Sequence, residues 1–372
     1  MPDATETAPP WSLGPFSQPQ RVLAERPALS FLCPVSRERV DWAAKDVFNP
    51  GAVVHDGRIC LLVRAEDAVG RYAGVSRIGL ATSPDGVHFD LEPEPVLAPG
   101  DDDWQAWEWP GGCEDPRVVQ APDGSFVCTY TAFDGKVGTL FVATSPDLSH
   151  WTKHGPAFAR TPYVRRPSKS GAILTHLVDG RLLAAQLNGK YWMYWGEGVT
   201  YVATSDDLIR WTPGDIEASP DRYLTWRRNR DGGERSWRID RVAGPMALQP
   251  IAGPRRGRFD SLLTEPGPPA ILTDAGVVLI YNGANHPQSG EPSTPAYAYQ
   301  PGQLLLDASE PTQLIGRATE PFLRIDPAEA SGQVGNVCFA EGLVAWKGRW
   351  LLYVGLADSR IGVSTAPITA TS

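Results

Sequence analysis

Carboxylates, carboxamides and a guanidinium recur in this chain at the outer ends of apolar runs that flank tight turns. Around Asp56-Gly57 they are Asn49 and Arg64; around Asp123-Gly124 they are Glu114, Asp115 and Asp134; after Asn188-Gly189 comes Glu197. Around Ala275-Gly276 they are Glu265 and Asn282, and around Lys347-Gly348 they are Asn336 and Asp358. In an antiparallel hairpin the start of the first strand and the end of the second lie together, opposite the turn. Hairpins arranged around one axis therefore put their turns on one face and these polar groups on the other. Carboxylates at such a mouth can carry protons. Carboxamides and guanidinium groups can hold hydroxyls, which both donate and accept, and this combination suits carbohydrate recognition. Each group taken alone also fits a turn cap, and the spacing fits a sugar-binding protein as well as an enzyme.

The elements that must position these groups read as strands throughout. A short phrase recurs at Leu80-Ala-Thr-Ser-Pro-Asp85, Val142-Ala-Thr-Ser-Pro-Asp147 and Val202-Ala-Thr-Ser-Asp-Asp207, each followed by an aromatic, Phe89, Trp151 or Trp211. The copies lie about sixty residues apart, room for four strands and generous loops. Ile361-Gly-Val-Ser-Thr365 is a weaker echo. The five hairpin turns imply five blades, so the expected fold is all-β, a five-bladed β-propeller forming one domain over 1–372. Two segments stand apart from the repeat: an N-terminal extension over about 1–40 and an insertion over about 213–258 that is dense in arginine, including Arg227, Arg228, Arg230, Arg235, Arg238 and Arg241. Either is a candidate for subunit contacts in a homo-oligomer. The third unit also contains Asp179-Gly180, which leaves its register open.

Bulk properties narrow the partners. A net charge of -9 leaves no broad basic surface for a phosphate backbone, which argues against nucleic acid. Thirteen Trp against three Met is an unusual ratio; most of the Trp read as blade packing, and the rest offer flat faces for sugar rings. The five cysteines are scattered without a metal-ligand spacing and read as reduced, buried thiols, and no metal or other cofactor is expected. The first eleven residues lack the basic and apolar regions of a signal peptide, and no run approaches a membrane span, so a cytoplasmic location without membrane attachment is expected.

Several ordered motifs resemble glycoside hydrolase family 130. They are Phe48-Asn-Pro-Gly-Ala52, Leu62-Val-Arg-Ala-Glu66, Gly112-Cys-Glu-Asp-Pro-Arg117, Leu314-Ile-Gly-Arg317, Gly332-Gln-Val-Gly-Asn-Val337 and Tyr353-Val-Gly-Leu-Ala-Asp358. The resemblance spans roughly 45–370. It implies a five-bladed propeller acting on β-mannosides by phosphorolysis or hydrolysis, with Asp115 as general acid and Asn49, Arg64 and Asp358 as mannose-binding groups. Arg117 and Tyr281 are further candidates for substrate contact.

As a proton donor, directly or through a sugar hydroxyl, Asp115 needs a raised pKa; burial and Glu114 push it up while Arg117 pulls it down. The family's phosphorylases carry a Gly-Lys-Tyr segment followed by His-Arg, whereas this chain reads Gly189-Lys-Tyr-Trp-Met-Tyr-Trp-Gly-Glu197 and lacks the phosphate-binding His. Thr264-Glu-Pro-Gly-Pro-Pro269 adds Glu265 where phosphorylases are glycine-rich. Glu197 and Glu265 would repel phosphate and serve a water instead. The leading expectation is thus an inverting, exo-acting β-mannosidase for β-1,2-linked manno-oligosaccharides. Arg166 and Lys169 match phosphate-binding positions, so the alternative is a phosphorylase that takes inorganic phosphate and releases mannose 1-phosphate. A third reading is a sugar-binding propeller without catalysis.

Overall fold

The computed structural model describes residues 8–23, 28–68, 74–216, 224–228, 237–241 and 247–369. Regular structure in it is almost entirely strand, with one short helix at Gln105–Glu108 and one 3-10 turn at Pro327–Glu329. The strands form antiparallel meanders that follow one another along the chain. Asp46–His55 pairs with Arg58–Glu66, then Ser76–Ser83, then Asp90–Leu91. Gly112–Gln120 pairs with Phe126–Phe133, then Gly138–Ser145, then Thr152–Pro156. Leu263–Pro266 and Ala270–Thr273 together flank Gly276–Ala284, which leads to Tyr299–Leu306 and Leu314–Arg317. Cys338–Trp346, Arg349–Leu356 and Arg360–Pro367 complete the series.

The stretch with two candidate turns uses both. Ala172 and Ile173 pair with Tyr194 and Met193, while Thr175–Val178 turns through Asp179-Gly180 onto Arg181–Ala184. Asn188-Gly189 then closes a second hairpin, Gln186–Leu187 with Lys190–Trp195, and the sheet continues through Thr200–Ser205 and Thr212–Pro213.

The recurring Ser-x-Asp phrase is a turn device. The hydroxyl of Ser83 accepts from the amides of Asp85 and Gly86, and Asp85 Oδ1 accepts from those of Val87 and His88. Ser145 with Asp147 repeats the pattern, and Ser205 with Asp207 repeats most of it. A side chain thereby replaces the ladder bonds lost at each corner. His88 and His150 bind Asp85 and Asp147 in these turns, in keeping with a structural part.

Both segments set apart from the repeat are partly woven into it. Gln20–Val22 pairs with Ile361–Val363, so the extension supplies an outer strand to the C-terminal meander. Pro250 and Ala252 pair back onto Tyr201 and Thr200, so the insertion ends before its expected boundary. Between these points, Asp215–Ile216 pairs with Ala247–Leu248 and Leu224–Arg228 with Trp237–Arg241, giving short ribbons. The side chains of 215–247, including the arginines expected there, lie outside the described residues, as do residues 1–7.

Apolar clusters fill the spaces between neighbouring meanders; one joins Val119, Val127 and Leu140 to Ile173, Trp195 and Trp211. Trp42, Trp195, Trp211 and Trp350 are buried, and Trp104, Trp107, Trp151 and Trp192 pack half-buried against such clusters, so tryptophan here mainly serves packing. All five cysteines are free and buried. Among the described residues no helix is long and apolar enough to cross a membrane.

Candidate active site

The first strands of several meanders are interrupted, and the interruptions touch. In Asp46–His55 the register slips between Phe48 and Pro50, leaving Asn49 unpaired with φ of 45°. In Gly112–Gln120 it slips between Glu114 and Arg117, leaving Asp115 with φ of 48°. Ser170, just before Ala172, also has positive φ. A Cβ on Gly51 would stand 2.5 Å from the Pro116 carbonyl oxygen, and one on Gly342 would stand 2.6 Å from that of Pro50. These strands therefore approach so closely that only glycine fits. A bulge re-aims the residue it releases, and here it aims several polar residues at one region.

Arg64 organises one side of that region. Its guanidinium donates to Asp115 Oδ1 at 2.9 Å, to Glu114 Oε1 at 2.9 Å and to Glu66 Oε1 at 2.8 Å, and it lies 4.8 Å over the Phe48 ring. Asn49 Nδ2 donates to Asp115 Oδ1 at 3.0 Å. Lys45 and Gln333 both donate to Glu66 Oε2. Asp358, with φ of 48°, stays partly exposed beside this cluster.

Lys169 links it to the other side, with Nζ 3.6 Å from Glu114 Oε2. The Lys169 carbonyl accepts from the Gly196 amide, and the Gly198 carbonyl accepts from the Thr264 amide, so Glu197 is held between Lys169 and the strand of Glu265. Glu265 is buried and accepts a hydrogen bond from the Ser170 hydroxyl.

The electrostatics divide the site. Burial works to raise Asp115, but Arg64, Lys169, the Asn49 amide and Arg117 outweigh it and hold the carboxyl well below the usual range. The raised pKa expected of a proton donor is thus absent in the open site, because sequence neighbours said nothing of Arg64 or Lys169. Burial and Glu197 push Glu265 up to about 7 against Lys169, Arg117 and Ser170. Burial likewise raises Asp358 to about 6, with Arg64 opposing. Glu114 is raised by burial despite Arg64 and Lys169. Burial would lower Lys169, yet Glu114, Glu197, Asp115 and Glu265 hold it above its ordinary value.

Asn49, Arg64, Asp115, Lys169, Glu197, Glu265 and Asp358 are therefore neighbours, as expected. Two expected substrate contacts have their polar groups committed elsewhere. Arg117 is buried and spends its donors on the carbonyls of Gly267, Pro266 and Asp115, so it positions backbone. Tyr281 has no exposed surface; its hydroxyl donates to Asp260 and accepts from Arg317, inside an apolar cluster with Phe259. On a strand, residue parity decides the face, and Tyr281 points away from the region that Asn282 adjoins. Arg166 lies 5.9 Å over the Tyr201 ring.

Other strand-end groups prove structural: Asp134 caps its own turn by accepting from Lys136 and Val137, and Asn282 bridges to both backbone groups of Ala340. Glu66, Ser170 and Glu341 went unnoticed as site groups. Glu341 sits before a glycine at a bulge, as Asn49 sits before Pro50-Gly51, and that shared pattern was the available signal. Among the described residues no group of three His, Cys, Asp or Glu side chains could hold a metal.

A polar region dense in carboxylates, formed where all-β meanders converge and fitted with groups for hydroxyls, defines a protein of the carbohydrate-active class. The chain matches glycoside hydrolase family 130, described as beta-1,4-mannooligosaccharide phosphorylase, over residues 18–225 and 239–371, and it belongs to that family. It is 29% identical over 356 residues to a beta-1,2-mannobiose phosphorylase of Thermoanaerobacter sp. (strain X514), covering 92% of this chain and 95% of the relative. A glycosyl hydrolase structure from Bacteroides ovatus is 42% identical, covers 98% of this chain and 97% of that one, and superposes with a TM-score of 0.84. A further structure, 40% identical with 98% coverage of both chains and a TM-score of 0.83, comes with the statement that the GH130 family of mannoside phosphorylases contains glycoside hydrolases that target beta-1,2 mannosidic linkages in Candida mannan. Names among these relatives thus divide between phosphorolysis and hydrolysis.

Proposed function

We propose that the meanders are the five blades of a β-propeller and that its polar mouth hydrolyses terminal β-1,2-linked mannosides with inversion. Glu265 carries this reading: it is buried, faces Glu197, and is pushed up to about 7, the value of a base poised near neutrality. In the proposed reaction the bond from C1 to the glycosidic oxygen breaks, Asp115 delivers a proton to that oxygen, directly or through a sugar hydroxyl, and water attacks C1 from the opposite face. Glu265, with Glu197, takes the proton of that water, and α-mannose is released.

Arg64 and Lys169 keep Asp115 ionised in the open site. Its role as donor therefore requires proton uptake once a neutral sugar has covered it and excluded water. Asn49, Arg64 and Asp358 adjoin Asp115 and would hold the mannose hydroxyls. A phosphate dianion in the same space would meet two carboxylates at the Glu265 side. Relatives at 40% identity over 98% of the chain fit this reading.

One observation favours phosphorolysis as a second reading. Lys169 keeps 26% of its side chain exposed and is held firmly cationic, so it offers a charge-assisted contact to an anion. Product analysis separates the two. Incubation with β-1,2-mannobiose is expected to release mannose at the same rate with or without phosphate; mannose 1-phosphate that appears only when phosphate is added would overturn the hydrolytic reading.

A further inference from the structure

The ring of bulges holds one more acidic group, which the proposed reaction leaves unused. In Cys338–Trp346 the register slips between Ala340 and Gly342, so Glu341 occupies the place that Asn49 has in Asp46–His55. Gly342 abuts Pro50, and a Cβ on Gly267 would stand 2.8 Å from the Ala340 carbonyl oxygen, so this bulge lies between the strand of Asn49 and the turn after Glu265. Glu341 has no exposed surface, and neither carboxyl oxygen makes a well-formed hydrogen bond. A buried, orphaned acid of this kind calls for an explanation.

Its near neighbour is Arg117, whose Nη1 lies 3.2 Å from Glu341 Oε1. That guanidinium donates Nε–H to the Gly267 carbonyl at 2.8 Å, Nη2–H to the Pro266 carbonyl at 3.0 Å and Nη1–H to the Asp115 carbonyl at 3.2 Å. One buried fork thus joins the bulge of Asp115 to the turn that follows Glu265. We propose that Glu341 is a positioning residue: by holding Arg117 in this orientation it locks the separation between Asp115 and Glu265. The proposal rests on the hydrolytic reading above.

The physical reason is geometric. Without the Glu341 carboxyl packed 3.2 Å from it, a buried guanidinium turns toward the next carboxylates, and the charge neighbours of Glu341 besides Arg117 include Asp115 and Glu265. Burial also pushes the Glu341 carboxyl well up, so a carboxamide mimics it closely.

The test uses the full chain with β-1,2-mannobiose. Glu341→Ala is expected to lower kcat about 10²-fold, the usual effect of a misplacement near 1 Å, with KM little changed. Glu341→Gln keeps an oxygen facing Arg117 and is expected to restore most of that loss. Crystal structures should show Arg117 leaving the Asp115 and Gly267 carbonyls in Glu341→Ala and keeping them in Glu341→Gln. Wild-type kcat in Glu341→Ala, no rescue by Glu341→Gln, or unmoved Arg117 contacts in Glu341→Ala would each overturn the proposal. Should Glu341→Ala fail to fold, Arg117→Lys, which cannot reach three carbonyls at once, is expected to reproduce the kcat loss, and wild-type kcat there counts against the proposal. A wild-type chain inert toward β-1,2-mannobiose defeats the hydrolytic reading, and the crystal structures then still decide whether Glu341 holds Arg117.

Discussion

The two sides of the site treat a buried carboxyl in opposite ways. Asp115 and Glu265 are both about 5% exposed, so desolvation presses both toward the neutral form. At Asp115 the neighbours are Arg64, Asn49 and Lys169, which win against burial and keep the carboxyl ionised. At Glu265 the carboxylate of Glu197 adds to burial, and together they outweigh Lys169, Arg117 and Ser170 and bring the group to about 7. Equal burial with unequal partners yields unequal protonation, so the charges that face a group, and not its depth, assign its part. The lesson extends to the reaction: in the open site the proposed donor lacks its proton and the proposed base half holds one, so the sugar must complete the exchange.

The sharpest way to break this contrast is Asp115→Asn. It is expected to lower kcat by about 10³-fold or more while calorimetry shows the mannoside still bound, since the carboxamide keeps contacts to Arg64 but has no acidic proton to deliver. Retained turnover would remove Asp115 from the chemistry. Glu265→Gln should lose about 10²-fold, because the amide cannot accept the proton of water; equal rates for variant and wild type would dismiss it as base.

The next two substitutions move the pH profile in opposite directions. The open site holds its one proton on Glu265 while the reaction needs it on Asp115, so kcat/KM should fall as pH rises through about 7, where that proton is lost. Glu197→Gln removes a negative neighbour, so that limb should shift to lower pH. Lys169→Met removes a positive neighbour and should shift it to higher pH, each by roughly one unit. Shifts of the same sign in both variants would show that Glu265 is not the titrating group.

The smallest effect expected is on stability. Because Glu265 rises from 4.5 unfolded to about 7 folded, the stability its proton provides is complete below about pH 4.5 and is lost as pH rises through 7. Glu265→Gln should therefore leave Tm unchanged at acid pH and raise it at pH 8.5, where the stability gained is at most the ~3 kcal/mol that a shift of this size represents. A Tm gain confined to acid pH would reverse the sign and refute the assignment.

Much of the site was readable because hairpin turns declare themselves locally. Asp56-Gly57 and Lys347-Gly348 turn where expected, and from them strand ends such as Asn49, Arg64 and Asp358 follow by counting. Counting could not see the bulges. At Phe48/Pro50 and Glu114/Arg117 the ladder loses its register, and each slip changes which residues face the axis. Tyr281 shows the other failure: it lies on the right strand beside Asn282, but its parity sends it to Asp260, Arg255 and Arg317. Arg117 was placed by proximity to Asp115 in sequence, whereas its partners at Pro266, Gly267 and Glu341 lie some 150 or more residues away.

By itself, then, the sequence settled the all-β class, the Ser-x-Asp corners and the residue types gathered at one face, because alternation and turn chemistry act over a few residues. Tertiary structure alone decided which way each acid's pKa is pushed, and which arginine faces carboxylates and which holds backbone. Those depend on groups such as Arg64 beside Asp115 and Glu197 beside Glu265, brought within a few ångströms by packing between distant strands, where low dielectric magnifies every neighbouring charge.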